Sequence, residues 1–216
     1  MSSIRVLGSA TGTGIITVTA PATNTDRTVT TPDASGNMVL DSAAQTLTNK
    51  TLGSGLVMAA SALTPGTVMS PASGTAVLFS GIPSWARRIT LMLSGVSTSG
   101  TSNYLVQLGT ASGFETTGYV SGSQSTTTGS GYSTSTAGFV LRFASGSVVA
   151  SGAARFNNLN GNIWVGDGNF IDSASTNGSV TLAGGKTLAD VLTQIRLTTV
   201  NGTDTFDAGS VNILYE

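Results

Sequence analysis

The chain has 216 residues and a formal net charge of −1, with charged residues at 9%, aromatics at 6% and glycine at 28 positions. Nine Lys and Arg spread over the whole length form no basic patch, which argues against nucleic-acid binding through phosphate neutralisation and against a cationic bilayer-surface helix. Cysteine and histidine are both absent, which rules out disulfides, zinc-thiolate sites and any Ser-His-Asp triad.

Soluble domains carry roughly a quarter charged residues, so this surface is covered by Ser, Thr, Asn and Gly, and much of it is expected to be hidden in an assembly. The opening Met1-Ser-Ser-Ile-Arg-Val6 lacks the basic start and apolar core of a secretory signal. No run approaches the roughly eighteen apolar residues of a spanning helix. The expectation is synthesis in a cytoplasm without classical export, with no cofactor.

Residues 1–52 read as an extended attachment arm. Ile4, Val6, the segment Ile15-Ile-Thr-Val-Thr19 and Asn37-Met-Val-Leu40 suggest short strands, punctuated by Ala20-Pro21, Thr31-Pro32 and the turn Asp33-Ala-Ser-Gly36. These strands carry too few large apolar groups to hold a core, so they need a neighbouring chain or a docking surface. Residues 53–76 read as a flexible or docking junction rich in Gly, Ala, Ser and Pro, with a short helix weakly indicated over Val57 to Leu63.

Residues 77–216 read as an antiparallel β-sandwich, jelly-roll-like, in an all-β chain. Side chains alternate across a strand with period two. Ile89, Leu91 and Leu93 therefore share a face, as do Tyr104, Val106 and Leu108, then Phe139, Leu141 and Phe143, and finally Val211, Ile213 and Tyr215. Strands are also expected at Ala76-Val-Leu-Phe79, around Phe114–Val120 and Val148-Val149, at 161–165, at 178–182 and at 193–199. Trp85, after the tight connection from Ile82, is expected to plug one end of the core. The Ser/Gly/Thr-rich stretch 121–136 is expected to be an exposed loop. Leu188, Val191, Leu192 and Ile195 fit a brief helical turn, and Asn201-Gly202 marks a turn.

The segment Ala44-Gln-Thr-Leu-Thr-Asn-Lys-Thr-Leu52 closely resembles a Q-T-L-T-N-K-T-L segment recurrent in tailed-bacteriophage tail-fibre and related virion proteins. Gly14–Asn24, Arg27–Asp33 and Gly36–Leu40 are similar to the leader that usually precedes it. Arg88–Gly100, Asn103–Gly109 and Ile195–Glu216 resemble a recurrent phage module at the C-terminal end. The resemblance implies a non-enzymatic virion protein made in a bacterial cytoplasm: a short fibre-like homotrimer that attaches to other virion proteins through its arm. A capsid decoration or cement protein is the alternative. Three copies around an axis would bury Leu47, Leu52 and Leu56, with Asn49 in a turn; an ordinary linker is the plainer reading of the same residues.

The chemistry-bearing residues are few. Asp204 and Asp207 are close in sequence, but nothing fixes the paired carboxylates that a glycan-degrading enzyme needs. Gly166-Asp-Gly-Asn169 is a partial match to a calcium loop without the further oxygen ligands or the closing glutamate. Gly8–Gly14 lacks the lysine of a phosphate loop. Fibre-tip domains commonly recognise host-surface glycans, and sugars rest on aromatic faces and amides. The contact candidates are Tyr119, Tyr132, Asn158, Asn160 and Trp164, with Trp164 weighted toward packing.

Overall fold

A computed structural model describes residues 11–13, 26, 63–126, 131–143, 148–173 and 178–216. The arm strands, the short helix from Val57, and the assembly contacts Leu47, Asn49, Leu52 and Leu56 lie outside the described residues. The chain divides into two units, Met1–Gly55 and Leu56–Glu216. The architecture below belongs to the second.

Among the described residues there are thirteen strands and no helix. They are β1 (Thr64–Pro65), β2 (Ala76–Ser80), β3 (Arg88–Thr98), β4 (Tyr104–Thr110), β5 (Gly113–Phe114), β6 (Tyr119–Ser125), β7 (Gly131–Ser135), β8 (Phe139–Leu141), β9 (Ala150–Asn160), β10 (Ile163–Asp172), β11 (Gly178–Thr187), β12 (Gln194–Thr199) and β13 (Phe206–Tyr215). One sheet runs β1-β13-β3-β9-β10-β11-β6-β7; the other runs β2-β12-β4-β5, with β8 also on β4. Every pairing is antiparallel. The protein is thus all-β, and its two sheets share one core.

The alternation seen in the sequence is what places the core. Ile89, Leu91, Val106, Leu108, Ile195, Leu197 and Val211 are all buried between the sheets. Phe139 of β8 lies 4.9 Å from the Phe156 ring and 5.4 Å from the Tyr119 ring, and Tyr104 lies 4.9 Å from Phe143. Each such ring removes enough apolar surface from water to stabilise the fold by about 1.5–3 kcal/mol. Glycines make room for them: a Cβ at Gly166 would sit 2.8 Å from Phe156, and one at Gly184 would sit 2.5 Å from the Val120 carbonyl and 3.1 Å from Phe139.

Several expectations are corrected. The stretch 121–136 is not an exposed loop; β6 and β7 pair within it, from Ser121↔Ser135 to Ser125↔Gly131. The β11 backbone pairs with β6, and the inward hydroxyls of Ser121 and Ser123 each accept an N–H at 2.9 Å, from Val140 and Arg142. Small polar side chains here join the two sheets. Gly166–Asn169 is a continuous part of β10. Residues 188–193 are irregular backbone with one bend at Ala189-Asp190, not a helical turn; Leu188 and Leu192 are buried and Val191 is exposed. Trp85 is 54% exposed and does not plug the core; Ile82 and Ala86 point inward instead, and the Trp85 ring leans on Tyr215 at 5.7 Å.

Within the junction, residues from Thr64 onward lie on β13 of the same chain. Thr64 pairs with Tyr215, Gly66 N–H donates to the Ile213 carbonyl at 2.8 Å, and Met69 and Val211 exchange two bonds of 2.8 Å. Gly66 suits this approach, since a Cβ there would meet Ile213 Cγ1 at 2.9 Å.

Candidate functional site

The register sets four inward-facing residues in one row across adjacent strands of the larger sheet. Tyr119 of β6 faces Lys186 of β11, Lys186 faces Trp164 of β10, and Trp164 faces Asn158 of β9. Three of the five glycan candidates therefore share a row, but their surroundings differ.

Tyr119 is buried and cannot offer its face to a sugar, which corrects the expectation for it. Its hydroxyl accepts from Leu108 N–H at 2.8 Å and lies 3.1 Å from the Glu115 carbonyl. Lys186 Nζ stands 5.3 Å over its ring and 2.5 Å from Glu115 Oε2. Burial pushes the Tyr119 phenol up to about 12. Burial also pushes the Glu115 carboxyl upward, but the Lys186 hydrogen bond, the Ala189 N–H and the Lys186 charge outweigh it and hold the carboxyl below its usual value. This end of the row is a structural lock.

The other end opens. Where β9 turns into β10, a cavity of about 230 Å³ is lined by Ser84, Arg87, Asn158, Asn162, Trp164 and Leu192 among others. Asn158 shapes one wall: its Nδ2 donates to the Gly161 carbonyl at 2.7 Å and the Ile163 carbonyl at 3.3 Å, and its backbone N–H donates to the Arg87 carbonyl at 2.8 Å. Leu188 N–H donates to the Asn162 carbonyl at 2.9 Å and ties the β9–β10 turn to the segment after β11. Trp164 is 3% exposed, so its ring is core and stacking on a sugar is excluded; its contribution is one edge of the cavity wall.

Asn160 is exposed at the β9–β10 turn and does not line this cavity. Tyr132 is 81% exposed on β7, beside a shallow depression of about 300 Å³ that it shares with Gln124, Thr134 and Thr181. The structure thus unites Asn158 with Trp164 and leaves Tyr119, Tyr132 and Asn160 elsewhere. Sequence reasoning missed Ser84 and Arg87 at the cavity. In the sequence Ser84 falls within the tight connection from Ile82 to Trp85, and Arg87 follows two residues after Trp85 with no pattern that marks it.

The carboxylates near the turns act singly. Asp204 accepts from Ser102 N–H at 2.9 Å and from Asn201 Nδ2 at 2.6 Å, Asp207 accepts the Ser97 hydroxyl, and Asp167 pairs with Arg155 at 3.1 Å. No group of three potential metal-binding side chains occurs among the described residues. No family model matches the chain, and neither does any curated protein or solved structure.

Proposed function

We propose that the chain is a non-enzymatic structural component of a tailed-phage particle, a short fibre-like homotrimer. In this reading residues 1–52 attach it to other virion proteins, and the sandwich is a head displayed toward the host surface. The observation that supports it most is where the phage-like stretches fall. Arg88–Gly100, Asn103–Gly109 and Ile195–Glu216 make up β3, β4, β12 and β13, which include the centre of the smaller sheet and the strands that carry the junction. The likeness therefore spans long-range partners of one folded core rather than a single local motif. Gold-labelled antibody against the chain, imaged on intact particles, tests the assignment, and the mass of the isolated protein tests the trimer.

A second reading, a capsid decoration protein, draws on the outer face of the larger sheet. That face carries small or uncharged residues such as Ala153, Thr181, Ala183 and Gly185 around the Arg155–Asp167 pair, with Val120 exposed at its rim. A broad face of this kind suits contact with a protein lattice. Gold over many equivalent capsid sites would favour this reading over the fibre.

A further inference from the structure

We propose that Asn160-Gly161, at the β9–β10 turn, is a site of self-modification, where the chain's own backbone converts the Asn160 side chain to aspartate and isoaspartate. The same dipeptide at Asn201-Gly202 is held unreactive by its hydrogen bonds.

The chemistry needs only the dipeptide and water. The Gly161 backbone nitrogen loses its proton to hydroxide and attacks Cγ of Asn160. A bond forms between that nitrogen and Cγ, the Cγ–Nδ2 bond breaks, and ammonia leaves with a proton returned by water. The product is a cyclic imide, which a second water opens. Cleavage between Cγ and the nitrogen gives aspartate. Cleavage at the main-chain carbonyl gives isoaspartate, in which the backbone runs on through Cγ. Glycine obstructs the attack least, because it has no Cβ and the widest choice of φ.

The chain carries Asn-Gly at three places, 160–161, 177–178 and 201–202. Asn177 lies outside the described residues. The other two pairs are both exposed, and a Cβ added at Gly161 or Gly202 would meet nothing within 4 Å. Accessibility therefore does not separate them, and hydrogen bonding does. Asn201 Oδ1 accepts from the Thr199 hydroxyl at 2.8 Å and from the N–H groups of Thr203 and Asp204 at 3.1 and 3.2 Å. Its Nδ2 donates to Asp204 Oδ1 at 2.6 Å. The nucleophile is tied down as well: Gly202 N–H donates to the Thr199 carbonyl at 3.1 Å.

At the β9–β10 turn the reacting groups are free. Neither the Asn160 amide nor the Gly161 N–H has a hydrogen-bond partner among the described residues. Other atoms hold the turn in place. Asn158 Nδ2 donates to the Gly161 carbonyl at 2.7 Å, and Leu188 N–H donates to the Asn162 carbonyl at 2.9 Å. Conversion adds one negative charge to a chain whose net charge is −1. Isoaspartate also lengthens the backbone where Asn160 pairs with Ile163, so it loosens the end of that pairing.

The test incubates the full chain in mildly alkaline buffer, folded and, in parallel, in urea. Peptide mapping by mass spectrometry follows the amide-to-acid mass change at each Asn-Gly, and an isoaspartyl methyltransferase labels the isoaspartate. In the folded chain Asn160 is expected to convert at least about tenfold faster than Asn201, since each hydrogen bond that must open adds to the barrier. In urea the native hydrogen bonds are gone, and the two rates are expected to agree within about threefold. Asn160→Gln is expected to abolish conversion at that position and to leave melting unchanged, because the residue is exposed. An Asn160 that stays an amide in the folded chain, or an Asn201 that converts as fast as Asn160 there, would overturn the proposal. A preference for Asn160 that persists undiminished in urea would also overturn it, because the fold would then not be its cause.

Discussion

Glu115 Oε2 and Lys186 Nζ are 2.5 Å apart, and they meet beneath the Tyr119 ring with little water access to the lysine. Glu115 also accepts the Ala189 N–H at 2.6 Å, so one carboxylate ties the β5–β6 connection to the segment after β11. Glu115→Gln leaves the ammonium nearly buried and uncompensated. The expected loss is about 2–4 kcal/mol, below the upper end for a fully buried pair because Glu115 keeps about a fifth of its surface in water. Since the fold lowers this carboxyl, its contribution is present above the ordinary value of 4.5 and is lost as pH falls from there through the lowered value. Urea titrations across pH 2–6 are expected to show this acid limb in the native chain and its attenuation in the variant.

Tyr119→Phe removes the acceptor used by Leu108 N–H and is expected to cost about 1–3 kcal/mol. The phenol is raised in the fold, so its contribution is full below the ordinary value of 10.0 and is lost as pH rises toward about 12. Alkaline unfolding followed by circular dichroism, with tyrosinate absorbance alongside, checks the sign. The variant is expected to lose less stability than the native chain across that interval.

Gly209 faces Gly95 where β13 and β3 shift register. Its φ is +93°, and a Cβ would lie 2.4 Å from the Gly95 carbonyl oxygen. Gly209→Ala therefore combines left-handed strain with a backbone clash and is expected to cost more than about 2 kcal/mol. Gly202, in the predicted Asn201-Gly202 turn, has φ +69° but open space around it, so Gly202→Ala is expected to cost about 1 kcal/mol. Thermal melts of the two variants give the comparison.

Trp85 and Trp164 reverse the roles that the sequence suggested for the first of them. With Trp85 more than half exposed and Trp164 almost wholly buried, acrylamide is expected to quench the native chain mainly through Trp85. Trp85→Phe is expected to remove most of the quenchable emission, and Tyr215→Ala to raise quenching further by freeing the ring it leans on.

Period-two alternation of large apolar residues made β3, β4, β8 and β13 legible, because burying such a face fixes register. It failed where small or polar residues hold strands. Ser121 and Ser123 look like loop composition, yet their hydroxyls answer β8 N–H groups, a pairing invisible without the partner strand. Asn157 and Asn158 lie in the long strand β9, which no alternation of large apolar residues marks. At the candidate site, aromatic and amide chemistry pointed to a set that includes Asn158 and Trp164, which line one cavity. Their convergence with Arg87 depends on the Asn158 N–H bond to the Arg87 carbonyl, 71 residues back in the chain, which local pattern cannot carry.

The most direct measurement is electron microscopy of particles from cells that carry the coding sequence, labelled with gold antibody against residues 77–216. The fibre-like assignment predicts gold at one or a few symmetry-related positions, at the ends of short projections. Particles that bear no gold would contradict it, as would gold spread evenly over the capsid.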